Sequence, residues 1–276
     1  METILLINDG LPGTVNASKF AFFIAQKMQA NVLLANLFDI SKPVETKTTI
    51  EHAGDHTTEM PMPYLGDYLE MLNNRPNDFE PKIKEIDISV MDENQVAQII
   101  NRNDIWMVVK SVPGSAMSGI SKENLNVSTI LNRIRCPLML VPETWPIKNI
   151  ERMAYLTDLR YCRLQIVRYL AEIAKPCCAD LSIAHISADD MPDIDECYAA
   201  NLFNNEIYNN TNYEQLFFNN ILEKNLAKAV DVIIDGMRND VLVMVKHCFH
   251  LDELVGRNAL GFLPPHLTVP VLVFPY

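Results

Sequence analysis

Basic residues are in the minority in this chain: 23 Lys and Arg stand against 35 Asp and Glu, for a formal net charge of −12. A field of that sign repels nucleic-acid phosphates and anionic lipid surfaces, and no run of Lys or Arg offers a local exception. Long apolar runs are missing as well. The hydrophobic stretches are strand-sized and none approaches the roughly 20 residues of a membrane-spanning helix. The opening Met1-Glu2-Thr3 lacks the basic lead of a secretory leader, and Asp9 breaks the first apolar run. These absences predict a cytoplasmic protein whose partners include no nucleic acid and no membrane. Six cysteines occur, at 136, 162, 177, 178, 197 and 248, without a CxxC pair, so reduced thiols are expected rather than a redox motif or a zinc ribbon. No G-x-S-x-G elbow, HExxH helix or G-x-x-x-x-G-K-S/T loop is present, and the expectation is a protein that is not an enzyme.

What the sequence does contain is a repeat. The length of 276 residues allows two domains at about 150 residues each, and 49% hydrophobic residues suffice for two cores. Each half opens with an apolar run ending in aspartate, Ile4 to Asp9 and Met153 to Asp158. A helical pattern follows in both, over 16–29 and 162–175, and then a strand pattern over 31–38 and 180–186. At one constant offset Asp9 matches Asp158, Ala25 matches Ala174, Ala30 matches Ala179 and Leu37 matches Ile186. Further on, DIWMVVK at 104–110 matches DVLVMVK at 240–246, each preceded by a helical pattern (94–102 and 226–238), and RCPLMLVP at 135–142 matches TVPVLVFP at 268–275. Continuous apolar strands separated by helices are the mark of parallel sheets covered on both faces. The reading is α/β, with one domain over 1–142 and a second over 150–276. The stretch 41–63 reads as a loop peculiar to the first half, 187–200 as an acidic loop of the second, and 215–222 as a strand. The short linker at Trp145 and Pro146, with apolar terminal strands in each half, predicts an intramolecular pseudo-dimer of the two domains.

The strand-Asp-helix openings NDG (8–10) and TDL (157–159), the matched strands at 104 and 240, and the closing CPLMLVP and VPVLVFP resemble the universal stress protein family in its tandem form, over nearly the whole chain. The resemblance implies two flavodoxin-like, adenine nucleotide alpha hydrolase-like domains, each with a five-stranded parallel sheet of order 3-2-1-4-5. It further implies a stress-response or regulatory role, and homo-oligomers are known among such proteins.

In sheets of this order ligands bind beyond the carboxyl ends of the strands, where the strand order reverses. Asp9 and Asp158 end first strands, and the segments after the fourth strands, 111–119 and 247–251, would face the same crevices. The resemblance implies adenine nucleotide as the small-molecule ligand, with the first-strand carboxylate near the ribose or base and a Gly-x2-Gly-x9-Gly-Ser/Thr loop around phosphate. Carried onto the first half, that loop falls on Ser111, Gly114, Asn124 and Leu125, and only Gly114 keeps its glycine. In the second half it falls on Val245, Cys248, Asn258 and Ala259, with no glycine. The motif is therefore degenerate. The candidate binding residues are Asp9, Leu37, Ser111, Gly114 and Asp158, with the first half favoured for ligand because its loop offers glycines and hydroxyls to an anion. Other readings stand beside this one. Asp9 and Asp158 also suit the capping of local N–H groups, Gly114 a Pro-Gly turn, His185 a satisfied core or edge imidazole, and HCFHLDE (247–253) a solvated loop or a zinc site. A structural or protein-interaction module with a decayed nucleotide site is the alternative function.

Overall fold

The first strand, β1 (Thr3–Asn8), is apolar at four consecutive positions, and Ile4, Leu5, Leu6 and Ile7 are all at most 1% exposed. A strand buried on both faces needs no polar alternation, which is why the run is continuous. The computed structural model describes residues 1–11, 13–38, 47–51, 57–61, 65–72, 79–113, 126–187, 192–223, 225–246, 254, 263–264 and 267–275. The chain divides into two units, the first covering Met1–Ile147 and the second beginning at Lys148.

In the first unit β1 is followed by α1 (Thr14–Met28), β2 (Asn31–Asn36), β3 (Lys47–Glu51), β4 (Thr57–Pro61), α2 (Leu65–Leu72), β5 (Ile83–Asp87), α3 (Glu93–Arg102), β6 (Ile105–Val112), α4 (Val127–Leu131) and β7 (Leu138–Pro142). Its sheet runs β5-β2-β1-β6-β7, parallel throughout. That is the expected 3-2-1-4-5 order. Helix α1 lies on β1, β2, β6 and β7 through a face that buries Ala17, Phe20, Ala21 and Ile24, and α2 packs beside it. Helix α3 begins with a reciprocal cap, in which the Asp92 carboxylate accepts from Gln95 N–H and the Gln95 side chain accepts from Asp92 N–H.

The second unit contains β8 (Arg152–Thr157), α5 (Leu164–Cys177), β9 (Asp180–His185), α6 (Glu196–Leu202), β10 (Leu216–Asn220), α7 (Leu226–Asp231), β11 (Val241–Val245) and β12 (Val271–Phe274). Its sheet runs β10-β9-β8-β11-β12, again parallel and in the same order.

The alanine matches between the halves have a structural cause. Helices α1 and α5 end at matched residues, Gln29 and Cys178, each left-handed with φ 53°. The following N–H then reaches back, Ala30 to the Ala25 carbonyl at 2.9 Å and Ala179 to the Ala174 carbonyl at 3.0 Å. All four alanines are fully buried, so the reversal leaves room for a methyl and no more. Neither cap is glycine, and left-handed backbone is costly for a residue with a Cβ. Cys178→Gly is therefore expected to raise the unfolding free energy by about 1 kcal/mol, read as a rise in the denaturation midpoint.

Three expectations are corrected. Residues 41–63 are not a loop throughout: where described, they form the antiparallel pair β3–β4, registered from Lys47 opposite Pro61 to Glu51 opposite Thr57. Lys-Thr-Thr-Ile-Glu and Thr-Thr-Glu-Met-Pro are rich in residues suited to strands. The segment 187–200 is not wholly loop either, because the Asp195 carboxylate accepts from Tyr198 N–H at 3.0 Å and starts α6. The helix expected over 226–238 changes pitch at Val232–Gly236, a π-helical turn closed by Met237 N–H on the Val232 carbonyl. No helix among the described residues is long and apolar enough to cross a membrane.

Candidate functional site

In the first unit the strand order reverses between β1 and β6, and Asp9 and Lys110 meet at that point. The Lys110 Nζ donates to Asp9 Oδ2 at 2.5 Å, with the two side chains 4% and 3% exposed. Register explains the meeting, since Lys110 stands opposite Ile7, two residues before the end of β6. The other carboxylate oxygen accepts from the Thr14 hydroxyl at 2.7 Å and from Leu11 N–H at 3.2 Å. Asp9 is thus held by the loop after β1, by α1 and by β6 at once. It does not cap α1 itself, whose N-cap is Gly13.

Lys110 also donates to the Ser111 carbonyl at 3.2 Å. The Ser111 hydroxyl is buried against Gly13, where a Cβ would lie 2.1 Å from the Ser111 Oγ. A side chain at 13 would have to displace the Ser111 hydroxyl. Leu37 follows β2, half-buried, with its N–H on the Asn8 carbonyl at 2.9 Å. Beside it a polar chain runs across the strand ends: Asn8 Nδ2 donates to Asn36 Oδ1 at 2.7 Å, and Asn36 Nδ2 donates to a Glu85 carboxylate oxygen at 3.1 Å. The structure therefore gathers Asp9 and Ser111 around Lys110, with Leu37 at the adjoining strand end. Gly114 lies outside the described residues.

In the second unit Asp158 has a different cation. Arg160 grips it with Nε on Oδ1 at 2.9 Å and Nη2 on Oδ2 at 2.6 Å, while Arg160 N–H also reaches Oδ1 at 3.0 Å. This is a two-pronged guanidinium–carboxylate pair, and hydrogen bonding to Asp158 is the main reason that the guanidinium pKa is pushed up. A further nitrogen, Arg160 Nη1, donates to the Pro192 carbonyl at 3.1 Å. Asp158 in addition caps the 3₁₀ turn Leu159–Tyr161.

His185 ends β9 at 1% exposure, and its Nδ1 accepts from Leu159 N–H at 3.0 Å. An accepting Nδ1 fixes the Nε2–H form of the ring, and Ser187 Oγ lies 3.4 Å from Nε2. The imidazole stacks toward Phe218 at 6.5 Å, and Phe218 stacks on Phe203 at 5.6 Å. His185 is thus a packed, partnered imidazole. Residues 247–253 fall outside the described residues.

The residues that sequence reasoning did not single out are the two cations. Lys110 was within reach, because DIWMVVK and DVLVMVK both end an apolar strand in lysine, at 110 and 246. Arg160 carried no such signal, being one of several exposed-looking residues after TDL.

No protein-family model matches the chain, and no curated protein matches it either. Solved structures do. A universal stress protein from Archaeoglobus fulgidus superposes with TM-score 0.59 at 12% identity, covering 99% of this chain and 97% of that one. The cytoplasmic domain of a prokaryotic cation chloride cotransporter gives 0.56 at 9% identity, covering 99% and 94%. A putative universal stress protein from Pseudomonas aeruginosa gives 0.50 at 12% identity, covering 99% and 93%. Across its full length, then, this chain has the fold of the universal stress proteins.

Proposed function

We propose that the protein is a regulatory module of universal-stress type that acts without catalysis, and that its two strand-end crevices no longer grip an adenine nucleotide through their aspartates. One observation carries this reading: both first-strand carboxylates are buried and already satisfied by the chain's own cations, Asp9 by Lys110 and Asp158 by Arg160. A ribose hydroxyl or an amino group approaching Asp9 has to displace a charge-assisted bond made in a dry site, and a neutral donor replaces it poorly. In the second unit the same approach has to break a two-pronged pair. The loss of loop glycines in the sequence points the same way, since it removes close backbone access to phosphate. What remains is a stable pair of α/β units that works through its surfaces, placed by this reading in the cytoplasm.

Equilibrium titration of the purified chain with ATP, AMP and cyclic AMP tests the proposal, together with an assay of ATP hydrolysis. The expected result is no saturation below about 1 mM, equivalent to less than about 4 kcal/mol of binding, and no turnover above background. Saturable binding at micromolar concentrations overturns the reading in favour of a nucleotide-holding module. Asp9→Ala and Asp158→Ala then identify the crevice that holds it, the first being the one favoured by its hydroxyl-bearing loop.

A further inference from the structure

At the opposite, amino-terminal edge of the first unit's sheet lies a cavity of about 300 Å³, lined by Thr3, Asn31, Leu33, Lys82, Lys84 and Asn103 among others. Its origin can be read from the strands. Thr3 pairs with Asn31, and Leu33 pairs with Lys84, so these residues share one face of β1, β2 and β5. On that face Leu5 is 1% exposed, yet its ladder neighbour Leu33 is only half-buried. Cover therefore stops between β1 and β2. The volume is at the lower end of small-molecule sites.

The lining is chemically one-sided. Lys82 and Lys84 are exposed, no acidic side chain lines the cavity among the described residues, and neither lysine has an acidic partner there. In a chain of net charge −12 a pair of unneutralised cations facing one cavity is uncommon chemistry. The second unit supplies an internal comparison. The Val32 N–H bonds the Lys82 carbonyl and the Leu181 N–H bonds the Gln215 carbonyl, and Lys84 pairs with Leu33 as Phe217 pairs with Ser182. The two lysine positions are thus Gln215 and Phe217 in the second copy. Thr3 and Asn31 correspond there to Arg152 and Asp180, which pair with each other at 3.9 Å. The second copy satisfies its own charges at this edge, whereas in the first the two lysines have no acidic partner among the described residues.

We infer that this cavity binds a short linear dicarboxylate. Two residues along a strand separate the lysines by about 7 Å, a spacing suited to two carboxylates joined by a few methylenes. The apolar side chain of Leu33 offers the methylenes a floor. Asn31, whose Oδ1 is occupied by Lys82 N–H at 3.2 Å, keeps its amide nitrogen as a donor, and Thr3 adds a hydroxyl. A monocarboxylate leaves one ammonium unmatched, and inorganic phosphate reaches both charges but has no apolar part.

Calorimetric titration of the full chain with glutarate, butyrate and inorganic phosphate tests this. Glutarate is expected to bind about tenfold more tightly than either of the others, and less tightly as salt rises. Lys82→Gln and Lys84→Gln are each expected to weaken glutarate by about threefold, and the double variant by about tenfold, as befits exposed ion pairs. Both lysines are exposed, so the variants keep the fold, which their unchanged thermal midpoint verifies. In the wild-type protein glutarate should shift the backbone amide signals of Asn31, Leu33 and Lys84. Failure of glutarate to bind, equal binding by phosphate, undiminished binding by the double variant, or amide shifts confined to other residues each overturns the assignment.

Discussion

Lys110→Met is expected to lower the stability of the first unit by about 3–5 kcal/mol, because it leaves the buried Asp9 carboxylate without its cation. Asp9→Asn in the same chain should return much of that loss, since the amide carries no charge to be compensated and still accepts from Leu11 N–H and the Thr14 hydroxyl. The thermodynamic cycle should therefore show strong coupling, with the double variant more stable than Lys110→Met alone. Both tryptophans, Trp106 and Trp145, belong to the first unit, so denaturant titration followed by tryptophan fluorescence reports on that unit directly. Additive losses from the two substitutions would show that the pair is incidental to stability.

Asp240→Ala is expected to cost the second unit about 3 kcal/mol. The Asp240 carboxylate, 4% exposed, takes the N–H groups of Glu151 at 2.8 Å and Arg152 at 3.0 Å on one oxygen and the Lys148 ammonium at 2.5 Å on the other. It thereby fixes the start of β8 to the start of β11. Removing it takes the shared charged acceptor from two part-buried N–H groups, and hydrogen bonds to a charged group are worth about 1.5–3 kcal/mol. The ion pair itself weighs little, because Lys148 is 52% exposed, so Lys148→Ala should cost less than about 1 kcal/mol. Tryptophan fluorescence is blind to this unit, and hydrogen exchange at Met153, Ala154 and Tyr155 is the appropriate readout. Protection unchanged in Asp240→Ala would remove the clamp from the account of stability.

The sequence made the repeat legible because duplicated backbone imposes duplicated constraints. Alanines at 25, 30, 174 and 179 are held in place by a tight helix reversal, and the apolar runs at 4–7 and 153–156 by burial on both faces. The strand order followed from the resemblance alone, since parallel pairing and helical crossovers were legible in the residues but their sequence across the sheet was not. The site was legible only in outline. Asp9 was located because it closes the first apolar run and Ser111 because the loop pattern of the resemblance falls on it, but their chemistry depends on Lys110, which is distant in sequence from Asp9 and adjacent only through the β1–β6 register. The hairpin at β3–β4 was hidden because its residues show no sustained alternation of apolar and polar character, which is the pattern that announces a half-buried strand.

The central position of β1 also governs how the chain is made. The strand is synthesised before its neighbours in the sheet, and β2 and β5, all within residues 3–87, complete one side of it as the polypeptide emerges from the ribosome at about 5–20 residues per second. The other edge of β1 stays without a neighbour until Ile105–Val112 has been translated, so for several seconds the apolar segment Ile4–Ile7 presents open backbone to whatever strand is nearby. The same interval recurs in the second unit, where β8 waits for Val241–Val245. Nascent chains stalled before residue 105 or before residue 241 are thus the forms of this protein with the greatest need of a chaperone.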